Sequence, residues 1–209
     1  MATLPELKVT VYSDYICPFC YVGYHRLARL RDSYDLKINW RFLEIHPETS
    51  AQGEPVDSLG YSSAQWQQMM KNLQQVASEE GIPLSPLTFI TNSKAALQLS
   101  ETSKQCGFEK FYQLHEKIFM AYFVDNKNIG DKKILKSIAL NCGLNQETIE
   151  SAWHDETIDK RLLNNFYSAR QHNIESVPSF VFGDQILTGV VAENQFREAA
   201  QKLAARNPS

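Results

Sequence analysis

Two cysteines with two residues between them, Cys17-Pro18-Phe19-Cys20, sit where a short apolar run ends and an amphipathic one begins. Leu7, Val9 and Val11 alternate with Lys8, Thr10 and Tyr12, the pattern of a buried strand. Tyr21, Tyr24, Leu27 and Ala28 then recur at helical spacing up to Leu30. The pair therefore marks a strand-to-helix handover. On the first turn of a helix, residues three apart share one side, close enough for two sulfurs to bridge. Unpaired N–H groups and the helix dipole favour negative charge there, and the thiolate is the attacking form of cysteine. Pro18 suits an early helical position, where its missing N–H has no partner to lose. The pattern assigns Cys17 as nucleophile and Cys20, one turn deeper, as resolving thiol.

Other uses of the pair fit less well. A structural zinc site wants four ligands. Cys106 and Cys142 stand alone in helical-looking segments, each before a glycine, and no second Cys-x-x-Cys or His-x-x-x-His completes a set. They read as buried structural thiols, and no metal site is expected.

The chain has 209 residues, 43% of them hydrophobic, enough for one large domain or one domain carrying an insertion. A net charge of −3 argues against a nucleic-acid or membrane-surface role. No charged segment followed by a long apolar one opens the sequence, and no apolar run approaches the roughly 20 residues of a membrane span. A soluble, cytoplasmic protein is expected. In a reducing compartment a close dithiol is usually catalytic or redox-sensing.

Along the chain, Lys37–Leu43 alternates again, giving strand, helix, strand and so a parallel pair with a right-handed crossover. His46–Tyr61 reads as a long loop. Ser62 and Gln65 form a capping-box signal for a helix that stops near Gly81. Thr91-Asn92, Asp131 and Asn145 can each cap a further helix, and Glu109–Phe123 is strongly amphipathic. Residues 60–153 hold no convincing strand. Thr157–His172 predicts a helix with Leu162, Leu163, Phe166 and Ala169 inward. Gly183-Asp184 between Ser179–Phe182 and Gln185–Thr188 is a hairpin signal, and Ala192–Ala205 closes as a helix. The division is a first βαβ half over 1–46, a helical insertion over 47–153, and an αββα half over 154–209. Strands from the two halves must pair, or the first unit leaves apolar edges bare.

These features resemble the thioredoxin fold, and the large helical insertion resembles its DsbA-like branch. The segments Ser13–Gly23, Thr91–Ala95, Ala121–Asp131 and Ser176–Val181 are similar to recurrent stretches of the cytoplasmic FrnE-like group of DsbA-family oxidoreductases. The resemblance implies an α/β fold with a mixed sheet and a dithiol–disulfide oxidoreductase or isomerase whose redox centre is the Cys17–Cys20 pair. No metal or bound organic cofactor is then needed, with glutathione as a candidate co-substrate. It also implies a cis Val177–Pro178 bond, with Val177, Pro178, Phe19 and Asn92 meeting a thiol- or disulfide-containing protein or small molecule. A cis X–Pro bond is the one cis peptide that costs little, and an exposed backbone at Val177 would take an extended chain as an added strand.

The chain departs from the group at Phe19, where tryptophan is frequent and DsbA itself has histidine. A phenylalanine supplies no positive charge, so a couple less oxidising than DsbA's is expected. No second cysteine pair follows Cys142. The same inserted fold is similar to 2-hydroxychromene-2-carboxylate isomerase and kappa-class glutathione transferase, so a glutathione-dependent isomerase or transferase is the alternative. Those carry serine where this chain has Cys17. A metal- or peptide-binding module is a third reading.

Among other titratable groups, Asp14 reads either as a tuner of thiol pKa or as an acceptor for N–H groups ahead of the helix, the latter being favoured. Asn92 is explained equally by helix capping. His25 is expected at the solvent face, and His115 in the core.

Overall fold

The computed structural model describes residues 4–206. The two alternating segments form the long strands β1 (Glu6–Ser13) and β2 (Asp35–Phe42). They pair in parallel, from Glu6 opposite Asp35 to Ser13 opposite Phe42. The crossover between them is α1 (Pro18–Ala28). At the other end of the chain, β5 (Ser179–Phe182) and β6 (Gln185–Thr188) form the hairpin around Gly183-Asp184. β5 runs antiparallel to β1, with Phe180 opposite Val11. The sheet order is β2-β1-β5-β6, so the two halves of the chain close one mixed sheet.

Between the halves lie α2 (Ser63–Glu79), α3 (Lys94–Ser103), α4 (Phe108–Phe123), α5 (Lys132–Asn141) and α6 (Gln146–Ser151). Helices α7 (Glu156–Gln171) and α8 (Glu193–Arg206) flank the hairpin. Three predicted caps form: Ser62 and Gln65 make a reciprocal capping box, and Asp131 and Asn145 accept from Lys133 N and Thr148 N. At Thr91-Asn92 the N-cap is one residue later, at Ser93, whose side chain makes no cap bond, and Asn92 Oδ1 accepts from Lys94 N from just outside the helix. The β-structure of the insertion exceeds what hydropathy suggests. Glu54–Pro55 (β3) pairs antiparallel with Phe89–Ile90 (β4), inside segments expected to hold only loop and helix. A two-residue strand carries no periodicity to read.

Helices α1 and α8 cover one face of the sheet. Phe180 meets Phe196 edge-on at 4.7 Å. Its ring leaves no room on α1 for more than a glycine, since a Cβ on Gly23 would lie 2.6 Å from Phe180 Cζ. Helix α7 covers the other face, where Tyr12 packs on Ala169 and Ile174 and its hydroxyl bonds Ser168 Oγ at 2.9 Å.

The insertion shares its core with the sheet. Phe119 of α4 meets Tyr15 at 4.8 Å, and His115 meets the Trp40 ring of β2 at 4.3 Å. His115 is fully buried, as its apolar stripe predicts. Burial, then Lys104, pushes its pKa down to about 3, so the ring is neutral and its Nδ1 hydrogen-bonds the Tyr15 hydroxyl at 2.7 Å.

Helix α7 turns Leu162 and Ala169 inward as expected, but not the other two apolar residues. Ile158, Asn165 and Ala169 are buried, while Leu163 and Phe166 each remain 49% exposed. The polar member of the inward face, Asn165, is held by its buried amide. It donates to Glu101 Oε1 at 2.8 Å and Phe42 O at 3.3 Å, and accepts from Arg41 Nη1 at 3.2 Å. A buried polar group with such partners loses little on leaving water. His25, expected at the solvent face, is half-buried between Tyr21 and Tyr24. None of the helices among the described residues is long and apolar enough to cross a membrane.

Candidate active site

The dithiol lies at the handover from β1 to α1. Cys17 is the N-cap residue of α1, with extended backbone (φ −84°, ψ 112°), and Pro18 opens the helix. The Cys17 carbonyl accepts from Cys20 N at 3.0 Å and Tyr21 N at 3.3 Å, which folds the first turn and sets both side chains on it. Both cysteines are free thiols and nearly buried. Burial and then the neighbouring Cys17 push the Cys20 thiol well up, against the opposing pull of the Asp14 backbone and the Ser13 side chain. Cys20 is thereby held as a protonated thiol at neutral pH.

Opposite Cys17 stands the Val177–Pro178 bond, which is cis. The Cys17 thiol points at the Val177 carbonyl, 3.7 Å away. The Pro178 carbonyl accepts from Gly189 N at 2.9 Å, so the loop after β6 lies beside this turn. That loop is fixed from below by Arg26 of α1, a residue without a readable signal in the sequence. Arg26 donates to Val191 O and pairs with Glu80 at the end of α2.

Asp14 is fully buried, and its partners lie far away in sequence. Oδ2 accepts from Ile45 N at 2.8 Å and Ser93 Oγ at 3.0 Å, and Oδ1 from Ile16 N at 3.3 Å. One carboxylate thus ties the active-site turn to the segment after β2 and to the start of α3. Burial nevertheless dominates these three bonds and, with Glu44 adding repulsion, lifts its pKa from 3.8 to about 6. Asn92 bonds both to the start of α3 and to the segment after β2. Its Oδ1 accepts from Lys94 N at 2.9 Å, while its Nδ2 donates to Glu44 Oε1 at 2.8 Å. Phe19 is half-buried beside the dithiol.

Cys106 and Cys142 lie apart from this turn as free thiols, Cys142 buried and Cys106 half-exposed. Among the described residues, no group of three or more His, Cys, Asp and Glu side chains converges as a metal site would require.

A family model described as a DSBA-like thioredoxin domain matches residues 8–201. The uncharacterized protein YwbO of Bacillus subtilis (strain 168) is 27% identical over 196 residues, covering 92% of this chain and 95% of YwbO. Among solved structures, the probable DsbA oxidoreductase SCO1869 from Streptomyces coelicolor superposes with a TM-score of 0.86 at 21% identity, covering 98% of this chain and 92% of that one. A 2-hydroxychromene-2-carboxylate isomerase gives 0.75 at 19% identity, covering 96% and 98%. At such identities the two superpositions speak to fold alone.

Proposed function

The chain belongs to the DSBA-like thioredoxin domain family and has its thioredoxin fold with a helical insertion, and on that premise we propose that it is a thiol–disulfide oxidoreductase acting through Cys17 and Cys20. The observation that carries the reading is the thiol of Cys17 set 3.7 Å from the carbonyl of Val177, beside a cis proline and with a second thiol one turn behind.

In the reducing direction, the Cys17 thiolate attacks one sulfur of a substrate disulfide. The substrate S–S bond breaks, a Cys17–substrate disulfide forms, and the leaving thiolate takes a proton. Loss of the Cys17 thiol proton frees the Val177 carbonyl, which then accepts a backbone N–H from the substrate chain. Cys20 gives up its proton and attacks Cys17. The substrate leaves with two electrons, and the protein keeps the Cys17–Cys20 disulfide. An external thiol returns the electrons. The oxidising direction is the same sequence reversed.

The pair of thiols favours this reading over a glutathione-dependent isomerase, in which a disulfide-forming second cysteine has no task. Insulin reduction under an external dithiol tests it. Turnover is expected for the parent and loss of turnover for Cys17→Ser and Cys20→Ser; activity unchanged in both variants would end the proposal.

A further inference from the structure

Helix α1 and the turn that faces it are joined at two places. At the N-terminal end of the helix the Cys17 thiol points at the Val177 carbonyl. Near its C-terminal end Arg26 reaches the segment after β6, donating from Nη1 to Val191 O. That segment holds the proline turn in its own way: Val191 N donates to Gly189 O and Gly189 N to Pro178 O, each at 2.9 Å. Arg26, Val191, Gly189 and Pro178 therefore form one chain of hydrogen bonds. It ends on the residue next to the one that Cys17 touches.

A guanidinium is costly to bury, and Arg26 is only 6% exposed. Glu80 at the end of α2 supplies the opposite charge, its Oε1 accepting from Arg26 Nε at 2.7 Å and from Nη2. Arg29, just beyond α1, donates to the Glu80 carbonyl at 3.1 Å and to Glu193 Oε2 at 2.7 Å, which ties the start of α8 to the same cluster. The guanidinium of Arg26 thus divides its donors, two nitrogens to the carboxylate and one to the loop. Ion pairing with Glu80 needs a cation here. The bond to Val191 in addition needs the planar fork, which a lysine lacks.

We propose that Arg26 is a positioning residue for thiol–disulfide exchange. It sets the proline turn level with Cys17, so that the Val177 carbonyl and the attacking sulfur meet a polypeptide disulfide together. The inference rests on the reading of Cys17 as the attacking thiol, and its test keeps the two apart. Two reactions of the reduced protein are compared. Alkylation of Cys17 by iodoacetamide, followed by mass spectrometry, needs the thiol alone. Reduction of a synthetic peptide disulfide needs the proline turn as well. Arg26→Lys keeps a cation beside Glu80 and loses the bond to Val191. It should alkylate within about twofold of the parental rate and reduce the peptide about tenfold to a hundredfold more slowly, the upper figure being what a 1 Å misplacement costs. The Gly189 amide, which donates to Pro178 O, should exchange with deuterium faster than in the parent. The double variant Arg26→Met, Glu80→Met removes the ion pair as a whole, an exchange that folds tolerate better than loss of one partner. It should show the same split between the two reactions.

Parental rates of peptide reduction in both variants overturn the proposal. So does an equal loss in alkylation and peptide reduction, or unchanged exchange at Gly189. A parent whose Cys17 alkylates but which leaves the peptide disulfide intact would instead remove the oxidoreductase reading underneath.

Discussion

The thiol of Cys17 and the carbonyl of Val177 lie 3.7 Å apart, although 160 positions separate them in the sequence. The contact exists because β1 and β5 are neighbours: β1 delivers the dithiol from its end, and β5 begins just after the cis proline. The sheet pairing between the two halves of the chain is thus what assembles the site.

Phe19 bears on the redox potential. A positive charge at this position would stabilise a thiolate at Cys17 and hence the reduced form, as an uncharged ring does not. The parental couple should lie well below DsbA's value of ~−120 mV, and Phe19→His should move it upward. Equilibration with glutathione buffers measures both. A parental potential near DsbA's, or no change in the variant, would contradict the argument.

Asp14 should leave a signature in the pH dependence of stability. Its folded-state pKa of about 6 lies above the ordinary 3.8 because burial penalises the charge. The folded protein therefore binds more protons than the unfolded chain between those values. The contribution of Asp14 is fully present below about pH 4, falls as pH rises to about 6, and is flat beyond. Urea unfolding of the parent and of Asp14→Asn across this range isolates the term, since the other groups cancel. The stability difference, parent minus variant, should decline by at most about 3 kcal/mol.

Much of the fold was legible because it is encoded locally. The capping box at Ser62 and Gln65, the hairpin at Gly183-Asp184 and the Cys-x-x-Cys at a strand end each involve residues close in sequence. The rest depends on distant partners. On α7, hydropathy correctly points Leu162 and Ala169 inward, but it also points Leu163 and Phe166 there and misses Asn165, whose burial follows from Glu101, Phe42 and Arg41. Asp14 gives no local hint that Ile45 and Ser93 will hold it. The meeting of Val177 with Cys17 was expected only through family resemblance.

Tyr15 anchors the turn that carries the dithiol. Its buried hydroxyl bonds both Ser100 Oγ and His115 Nδ1 at 2.7 Å. Tyr15→Phe leaves those two groups without this partner, and the unfolding free energy should fall by about 1–3 kcal/mol. His115 should remain neutral from pH 8 to pH 4, with no titration of its ring signals by NMR, because its folded pKa is about 3.

Gly23 is the point where α1 closes on β5. A Cβ there would lie 2.6 Å from Phe180 Cζ, in the residue two places after Pro178. Gly23→Ala must displace that ring or the helix, at a cost of about 1–3 kcal/mol. Because α1 carries Cys20, a shift of the helix moves the dithiol relative to the proline turn, and the rate of insulin reduction should then fall as well. A variant with parental stability and rate would show that the contact does not position the site.

The most direct test of the whole account is to trap the covalent intermediate. Cys20→Ser, reduced and then mixed with a peptide disulfide, should accumulate a mixed disulfide that tryptic mass spectrometry places on Cys17, whereas Cys17→Ser should form none there or elsewhere. A peptide adduct on Cys106 or Cys142 in place of Cys17, or no adduct in the Cys20→Ser protein, would contradict the account.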